Sequence, residues 1–154
     1  MPQKQLKLFE DDKSQYCEFC EIISGRKEAA IVYSDQYVVV FLDKKPVFKG
    51  HCLVATRKHF ENIYELDKIT VDRLFVAVQV ISKAVQDATD SDGTFIAVNN
   101  VVSQSVPHVH VHIVPRRYND GLKGFFWPRT KYDSAEEAEE YAAKIRSLIA
   151  VNYR

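Results

Sequence analysis

The chain has 154 residues, of which 46% are hydrophobic and 27% charged, and these values are ordinary for one globular domain. Its 21 basic and 21 acidic residues cancel, so no overall field attracts nucleic acid or an anionic membrane surface. No stretch approaches the roughly 20 apolar residues of a membrane span, and residues 1–13 lack the apolar core of a secretory signal. We therefore expect a cytoplasmic protein that binds neither nucleic acid nor membranes.

Apolar spacing predicts the secondary structure. Residues 1–14 carry charge without a clear period, so we expect a flexible arm before one domain over residues 15–154. The predicted elements are a short helix over 16–24, strands over 31–33, 37–42 and 51–56, a long helix over 67–89, a strand over 94–99 and a terminal helix over 134–151. Strands grouped around one long helix predict an α+β fold.

Two apolar stripes define the helices. The stripe of the long helix, which is expected to cover the sheet, consists of Ile69, Leu74, Phe75, Val78, Ile81, Val85 and Ala88. The terminal helix opens with the capping-box spacing of Ser134 and Glu137. Its stripe consists of Tyr141, Ile145, Leu148 and Ile149.

Residues 107–115, Pro-His-Val-His-Val-His-Ile-Val-Pro, predict a strand with one imidazole face and one apolar face, because side chains alternate along a strand. His108, His110 and His112 share the polar face. Such a row of imidazoles suits a bound anion at least as well as a metal ion. The alternative is a half-buried strand whose polar face is histidine-rich.

Three cysteines occur, two of them as Cys17-x-x-Cys20. In a reducing compartment this pair is expected to be a metal clip or two plain thiols rather than a disulfide. Cys52 is expected to be a small buried hydrophobe, and His51 a packing or surface residue.

The histidine strand resembles the signature of the histidine triad (HIT) superfamily, in which three histidines alternate with apolar residues. The match spans about Cys17 to Arg116 and includes Gln104-Ser105-Val106, Pro115-Arg116, Asn99, Phe41-Leu42-Asp43 and Gly50-His51-Cys52-Leu53-Val54. We expect a strongly bent, mainly antiparallel sheet of about five strands, with one long helix and a C-terminal helix. The resemblance also implies a homodimer.

The resemblance implies hydrolysis or transfer of a nucleoside monophosphate through a covalent phosphohistidine. The middle histidine, His110, corresponds to the nucleophile. A neutral imidazole can attack phosphorus with one ring nitrogen if a carbonyl holds the proton of the other. His112, Gln104, Ser105 and Asn99 are expected at the α-phosphate oxygens, where charge accumulates.

Nucleotide recognition is also implied by the resemblance, with a purine nucleotide as the expected substrate class. Asp43 matches the acidic residue that binds the ribose hydroxyls, although the same aspartate is also what a turn before Pro46 would contain. Phe19, Ile22 and Phe41 match positions that enclose the base, and each is equally suited to a plain core.

Zinc-binding members of the superfamily use a ligand set that this chain also contains. Cys17, Cys20, His59 and His108 would supply two sulfurs and two nitrogens to a structural Zn²⁺, which prefers four ligands in a tetrahedron. The alternative is two cysteines in a short helix and a surface histidine.

The loop before Gln104 departs from the family pattern. Members commonly have glycines there, whereas residues 99–103 read Asn-Asn-Val-Val-Ser. Glycine lets backbone N–H groups approach a phosphate closely, so an altered loop is expected. Residues 125–129, Phe-Phe-Trp-Pro-Arg, are expected either to line the leaving-group side of the pocket or to pack in the core or a dimer.

Two functions are weighed foremost. The first is a nucleotidyl hydrolase or transferase that acts on an adenosine or dinucleoside polyphosphate, or on a nucleoside phosphoramidate. The second, suggested by the glycine-poor loop, is a nucleotide-binding or sensing module with little turnover. A third hypothesis is a structural protein that only binds metal.

Overall fold

The structure is a computed structural model that describes residues 16–122 and 129–152, with side chains described up to residue 149. The chain forms two compact units, Met1–Asp120 and Gly121–Arg154. The arm predicted over 1–14 and residues 125–128 of the aromatic segment lie outside the described residues. Among the residues that are described, no helix has both the length and the apolar character to cross a membrane.

The first unit is an antiparallel sheet with two helices. Its elements are α1 (Glu18–Ile23), β1 (Ile31–Ser34), β2 (Val38–Leu42), β3 (Cys52–Thr56), a short 3₁₀ turn (Ile63–Glu65), α2 (Lys68–Ala88), β4 (Gly93–Ala97) and β5 (His110–Arg116). The five strands follow the order β1-β2-β3-β5-β4, and every neighbouring pair is antiparallel. This arrangement confirms the predicted α+β fold and its number of strands.

One face of the sheet forms the main core with α2. Because side chains alternate along a strand, every second residue of the three central strands points to this face. From β2, β3 and β5 these residues include Val38, Val40, Cys52, Val54, Val111 and Ile113. They pack against Leu74, Val78, Ile81 and Val85 of α2. Cys52 is therefore the buried hydrophobe that was predicted.

The predicted stripe of α2 was too wide. Ile69 and Phe75 are 59% and 41% exposed, and Ala88 is also exposed. The buried positions follow spacings of three and four residues on one narrow line, so Ile69 and Phe75, one position away from that line, turn outward, whereas Ala88 is the last residue of the helix. Thr70 occupies the first buried position, and its hydroxyl donates a hydrogen bond to the N-cap carboxylate of Asp67 at 2.9 Å.

The opposite face of the sheet is covered by α1. Cys17 is the N-cap of this helix, and its sulfur accepts the Cys20 backbone N–H at 3.5 Å. Gly25 follows the helix with a φ of 78°, a left-handed conformation that glycine adopts without strain. Phe19 is buried against Phe41. This face carries the candidate site.

The second unit contains α3 (Ala135–Asn152). Its first turn has the predicted cap, because the Glu137 backbone N–H donates to the Ser134 hydroxyl at 3.1 Å. The Glu137 carboxylate accepts the Asp133 N–H at 2.6 Å, one residue earlier than in a capping box. The predicted apolar stripe of α3 is at least half exposed at all four positions: Tyr141, Ile145, Leu148 and Ile149.

Candidate active site

The register of three neighbouring strands aligns the site residues in rows. Leu53 of β3 lies opposite His112 of β5, and Ala55 lies opposite His110. Phe41 of β2 lies opposite Leu53. Because opposite residues of an antiparallel pair share a face, the two histidines and the aromatic ring lie on the same side of the sheet.

His110 is held in one tautomer by the backbone. Its Nδ1 lies 2.6 Å from the carbonyl oxygen of His108, and a carbonyl only accepts hydrogen bonds, so Nδ1 carries the proton. The lone pair is therefore on Nε2. The side chain lines a pocket and is only 5% exposed, so its ring is largely shielded from solvent. The hydrogen bond to the carbonyl holds the ring in one orientation.

His51 is buried, as the packing alternative predicted, and its ring also contacts His112 of the candidate site. The Val47 backbone N–H donates to His51 Nδ1 at 3.2 Å, so the proton of the neutral ring is on Nε2. That nitrogen lies 3.0 Å from His112 Nδ1 and donates to it. His112 must then carry its own proton on Nε2, which makes this atom a hydrogen-bond donor in the pocket.

Burial keeps these imidazoles neutral. Desolvation is the main cause that lowers the pKa of His112 to about 4, with the neighbouring rings of His110 and His51 adding to it. Desolvation also lowers the pKa of His110 and of His51, against a smaller opposing effect of nearby hydrogen-bond and charge partners. At neutral pH the Nε2 atom of His110 is therefore unprotonated.

A cavity of about 670 Å³ opens over this face. Its size is that of a small-molecule pocket. The Phe19 ring stands edge-on to the His110 ring at 4.8 Å and to the Phe41 ring at 5.2 Å. Of the residues predicted from the sequence, the cavity wall brings together Phe19, Ile22, Phe41, Asp43, Ser105, His110 and His112.

Asp43 makes the turn contact that one of its two interpretations predicted, and it also lines the cavity. One carboxylate oxygen accepts the Lys45 backbone N–H at 2.8 Å, as a turn aspartate does. The residue also lines the cavity, and its second oxygen lies 3.8 Å from His51 Nε2. This separation is too long for a hydrogen bond between Asp43 and His51.

Two predicted phosphate partners contact the protein backbone in this structure. The Asn99 amide donates to the Ser103 carbonyl at 3.2 Å. The Gln104 amide donates to the Glu61 carbonyl at 2.5 Å, and its oxygen accepts a backbone N–H of the loop at 3.0 Å. Neither residue lines the cavity formed by the described residues, whereas Ser105 does.

The loop before Gln104 keeps left-handed conformations without glycine. Val101 and Ser103 have φ values of 68° and 59°. A β-branched residue in this region is strained, at a cost of roughly 1–2 kcal/mol. The lack of glycine in this loop therefore results in backbone strain at Val101.

We expect Val101→Gly to relieve this strain. Glycine stabilises the unfolded chain by roughly 0.5–1 kcal/mol, so the free energy of unfolding should stay unchanged or rise by up to about 1.5 kcal/mol. Val102→Gly is the matched control, because both valines are at least 70% exposed and only Val101 has a positive φ. Urea unfolding would contradict the strain if Val101→Gly lost more stability than Val102→Gly.

The four predicted metal ligands also converge, beside the pocket. Cys17 Sγ and Cys20 Sγ lie 3.4 and 3.6 Å from His108 Nδ1, and Cys20 Sγ lies 3.4 Å from His59 Nδ1. All four ligand atoms lie within 4.8 Å of one another. His108 Nε2 donates to the Thr56 carbonyl at 2.7 Å, so its unprotonated Nδ1 faces the sulfurs. The donor set and its tautomer fit a tetrahedral Zn²⁺.

Two relatives and one solved structure have names that describe an activity or a bound metal. An adenylylsulfatase of Arabidopsis thaliana is 34% identical over 69% of this chain and 55% of its own length. A bis(5'-adenosyl)-triphosphatase of Dictyostelium discoideum is 27% identical over 82% of this chain and 89% of its own. The structure of a zinc-bound histidine triad family protein from Mycobacterium smegmatis is 31% identical, covers 90% of this chain and 99% of its own, and has a TM-score of 0.67.

A family model and two proteins of higher sequence identity show the family of this chain. A HIT domain model matches residues 24–119. An uncharacterised HIT-like protein of Saccharolobus solfataricus is 41% identical over 83% of this chain and 93% of its own length. The crystal structure of a HIT family protein from Bacillus subtilis is 37% identical, with a TM-score of 0.79, over 86% of this chain and 96% of that one. The resemblance read from the histidine strand is confirmed, and the chain belongs to the HIT family.

Proposed function

We propose that this protein is a nucleotidyl hydrolase or transferase that cleaves a bond at the α-phosphate of a nucleotide through a covalent intermediate on His110. The observation that carries the proposal is the 2.6 Å hydrogen bond from His110 Nδ1 to the His108 carbonyl. It leaves the Nε2 lone pair on a buried, neutral ring in the wall of a nucleotide-sized pocket.

The reaction divides one displacement into two. In the first step the Nε2 lone pair of His110 forms a bond to the α-phosphorus, and the leaving group departs with its bonding electrons and takes up a proton from solvent. In the second step water attacks the same phosphorus, the N–P bonding electrons return to Nε2, and the attacking water releases a proton to solvent. The Nε2–H of His112 and the Ser105 hydroxyl are suited to donate to the phosphate oxygens in both steps.

The substrate class is a dinucleoside polyphosphate, another nucleoside polyphosphate or a nucleoside phosphoramidate. The names of the adenylylsulfatase and the triphosphatase support this class, since both denote nucleotide hydrolases. Phe19, Ile22 and Phe41 supply an apolar wall for a base, and Asp43 supplies an acceptor for the ribose.

A panel of these substrates, assayed by product identity, tests the proposal. Hydrolysis should release a nucleoside monophosphate from at least one of them. A binding or sensing module is the second candidate, because the amides of Asn99 and Gln104 are bonded to backbone and do not line the described cavity. That candidate predicts affinity by calorimetry without turnover of any substrate on the panel.

The same proposal includes a structural zinc ion held by Cys17, Cys20, His59 and His108. The convergence of their four ligand atoms and the zinc-bound relative support it. When bound, the ion would connect the start of α1 to His108, two residues before β5. His108 would then serve two purposes, because its side chain would bind metal while its carbonyl orients His110.

We also propose a homodimer, since α2 and the edge strand β4 carry apolar side chains that the fold of one chain leaves exposed. These are Ile69, Phe75, Val76 and Val80 on α2, and Ile96 on β4. Sedimentation equilibrium should show a dimer that Val76→Lys dissociates and that Val102→Lys, on an exposed loop, does not. A monomeric native protein would exclude this assembly.

A further inference from the structure

The pocket has a charged wall as well as an apolar one. Glu18, Lys27 and Lys44 line the same cavity as Phe19 and Asp43. The Oε1 atom of Glu18 accepts hydrogen bonds from both ammonium groups, at 2.6 Å from Lys27 and 2.5 Å from Lys44. One carboxylate therefore joins two lysines that are far apart in the sequence.

This cluster lies beside the predicted nucleotide contacts. Glu18 immediately precedes Phe19, which belongs to the base wall, and Lys44 immediately follows Asp43, the predicted ribose ligand. A base that stacks in the apolar part of the cavity, with its ribose at Asp43, would thus present an edge to the charged wall. Stacking of the base requires only the apolar residues, so the charged residues are available to contact the edge of the base.

The lysines of the cluster contact only one oxygen of the ionised Glu18 carboxylate. The Lys27 ammonium, followed by that of Lys44, lowers the pKa of the Glu18 carboxyl, so this group is ionised at neutral pH. Both lysine contacts fall on Oε1, and no hydrogen bond from the described residues reaches Oε2. The cluster can therefore accept hydrogen bonds at one point and donate them at the neighbouring point.

Building on the proposed nucleotide function, we propose that Glu18, Lys27 and Lys44 read the hydrogen-bonding edge of the base and select guanine. Guanine carries two adjacent donors, N1–H and the N2 amino group, beside the acceptor O6. The two lone-pair sites of Glu18 Oε2 can accept from both donors, and a lysine ammonium can donate to O6. Adenine places the lone pair of N1 at the same point, where it would face the carboxylate oxygen.

If the ion pairs of Glu18 only stabilised the fold, replacing Glu18 would not change the preference for GMP over AMP. Exposed ion pairs contribute little to stability, and α1 carries such a pair outside the pocket, between Glu21 and Arg26 at 2.7 Å. Glu21 is therefore a matched control for Glu18, because both are helix residues paired with a cation and only Glu18 lines the cavity.

The experiment is calorimetric binding of GMP, IMP and AMP to the full-length protein. We expect GMP to bind roughly 10- to 100-fold more tightly than AMP, the effect of one good two-point contact, with IMP between them because it lacks the N2 amino group. Glu18→Gln should reduce the preference to about threefold or less, whereas Glu21→Gln should preserve it. Lys27→Met provides a second variant and should weaken GMP more than AMP.

The outcomes separate this inference from the proposed function, because affinity is measured without turnover. Equal affinities for GMP and AMP, or a preference that survives Glu18→Gln, would overturn the reading of the base and leave the proposed reaction intact. A guanine preference in a protein that hydrolyses nothing would support the inference and exclude the reaction. If none of the three nucleotides bound, both would be excluded.

Discussion

We expect His110→Ala to lower kcat/KM for the best substrate by at least about 1000-fold, which corresponds to about 4 kcal/mol of transition-state stabilisation. The reason is chemical, because the alanine side chain has no atom that could form the bond to phosphorus. The residues that we propose to bind the phosphate and the base would remain, so the residual rate should resemble that of a binding site without a nucleophile. Steady-state kinetics on the purified variant measure this loss.

Nucleotide affinity is the control for this variant. His110→Ala leaves the Phe19–Phe41 wall and Asp43 in place, so the dissociation constant of the corresponding nucleoside monophosphate should change by only a few-fold. Turnover of the variant within tenfold of the wild type would remove His110 from the reaction. A loss of affinity that equals the loss of rate would assign the residue to binding rather than to nucleophilic attack.

Zinc removal should produce the largest effect on stability. With free Zn²⁺ at about 1000 times its dissociation constant, binding to the folded state alone contributes about 4 kcal/mol. For a chain of this size, a chelator should therefore lower the melting temperature by roughly 10 °C. Thermal unfolding followed by circular dichroism, with and without chelator, measures the shift, and elemental analysis counts the metal.

Cys20→Ser provides the matched variant for the metal experiment. It removes one of the four proposed ligands at a partly exposed position, so the melting temperature of the variant should be low and should no longer respond to zinc or chelator. A wild-type protein that contains no zinc, and whose melting temperature is the same in excess zinc and in chelator, would contradict the proposal.

The parts of the site that the sequence predicts are those governed by local rules. Alternation along one strand is sufficient to put His110 and His112 on one face, and the structure has them there. The helix and strand bounds differ from the predicted ones by a few residues at most. The Cys17-x-x-Cys20 spacing is similarly local, because both cysteines belong to one helix start.

Other features depend on contacts that no local pattern contains. The bond between His51 and His112 joins residues 61 positions apart, and it exists because β3 pairs with β5 in one particular register. The alternation of side chains along β3 and β5 would have predicted the contact between His51 and His112 only if the pairing register of the two strands had been known. The charged wall is equally non-local, since Lys44 meets Glu18 across 26 residues.

The exposed positions of α2 show the same limit. Ile69 and Phe75 satisfy a helical period as well as the buried residues do, and only the packing of α2 on the sheet decides which line of the helix is covered. The sequence likewise predicts only part of the strain at Val101. The missing glycines were evident in the sequence, but whether the loop would change its path or keep it under strain depended on the tertiary structure.

Trapping the covalent intermediate tests the central claim most directly. Protein mixed with substrate should be quenched within the first turnover, digested and mapped by mass spectrometry under conditions that preserve N–P bonds. The mechanism predicts one nucleoside monophosphate attached to the peptide that contains His110, and its absence from the His110→Ala protein. Product formed in the first turnover without any such adduct, or an adduct on a different residue, would contradict it.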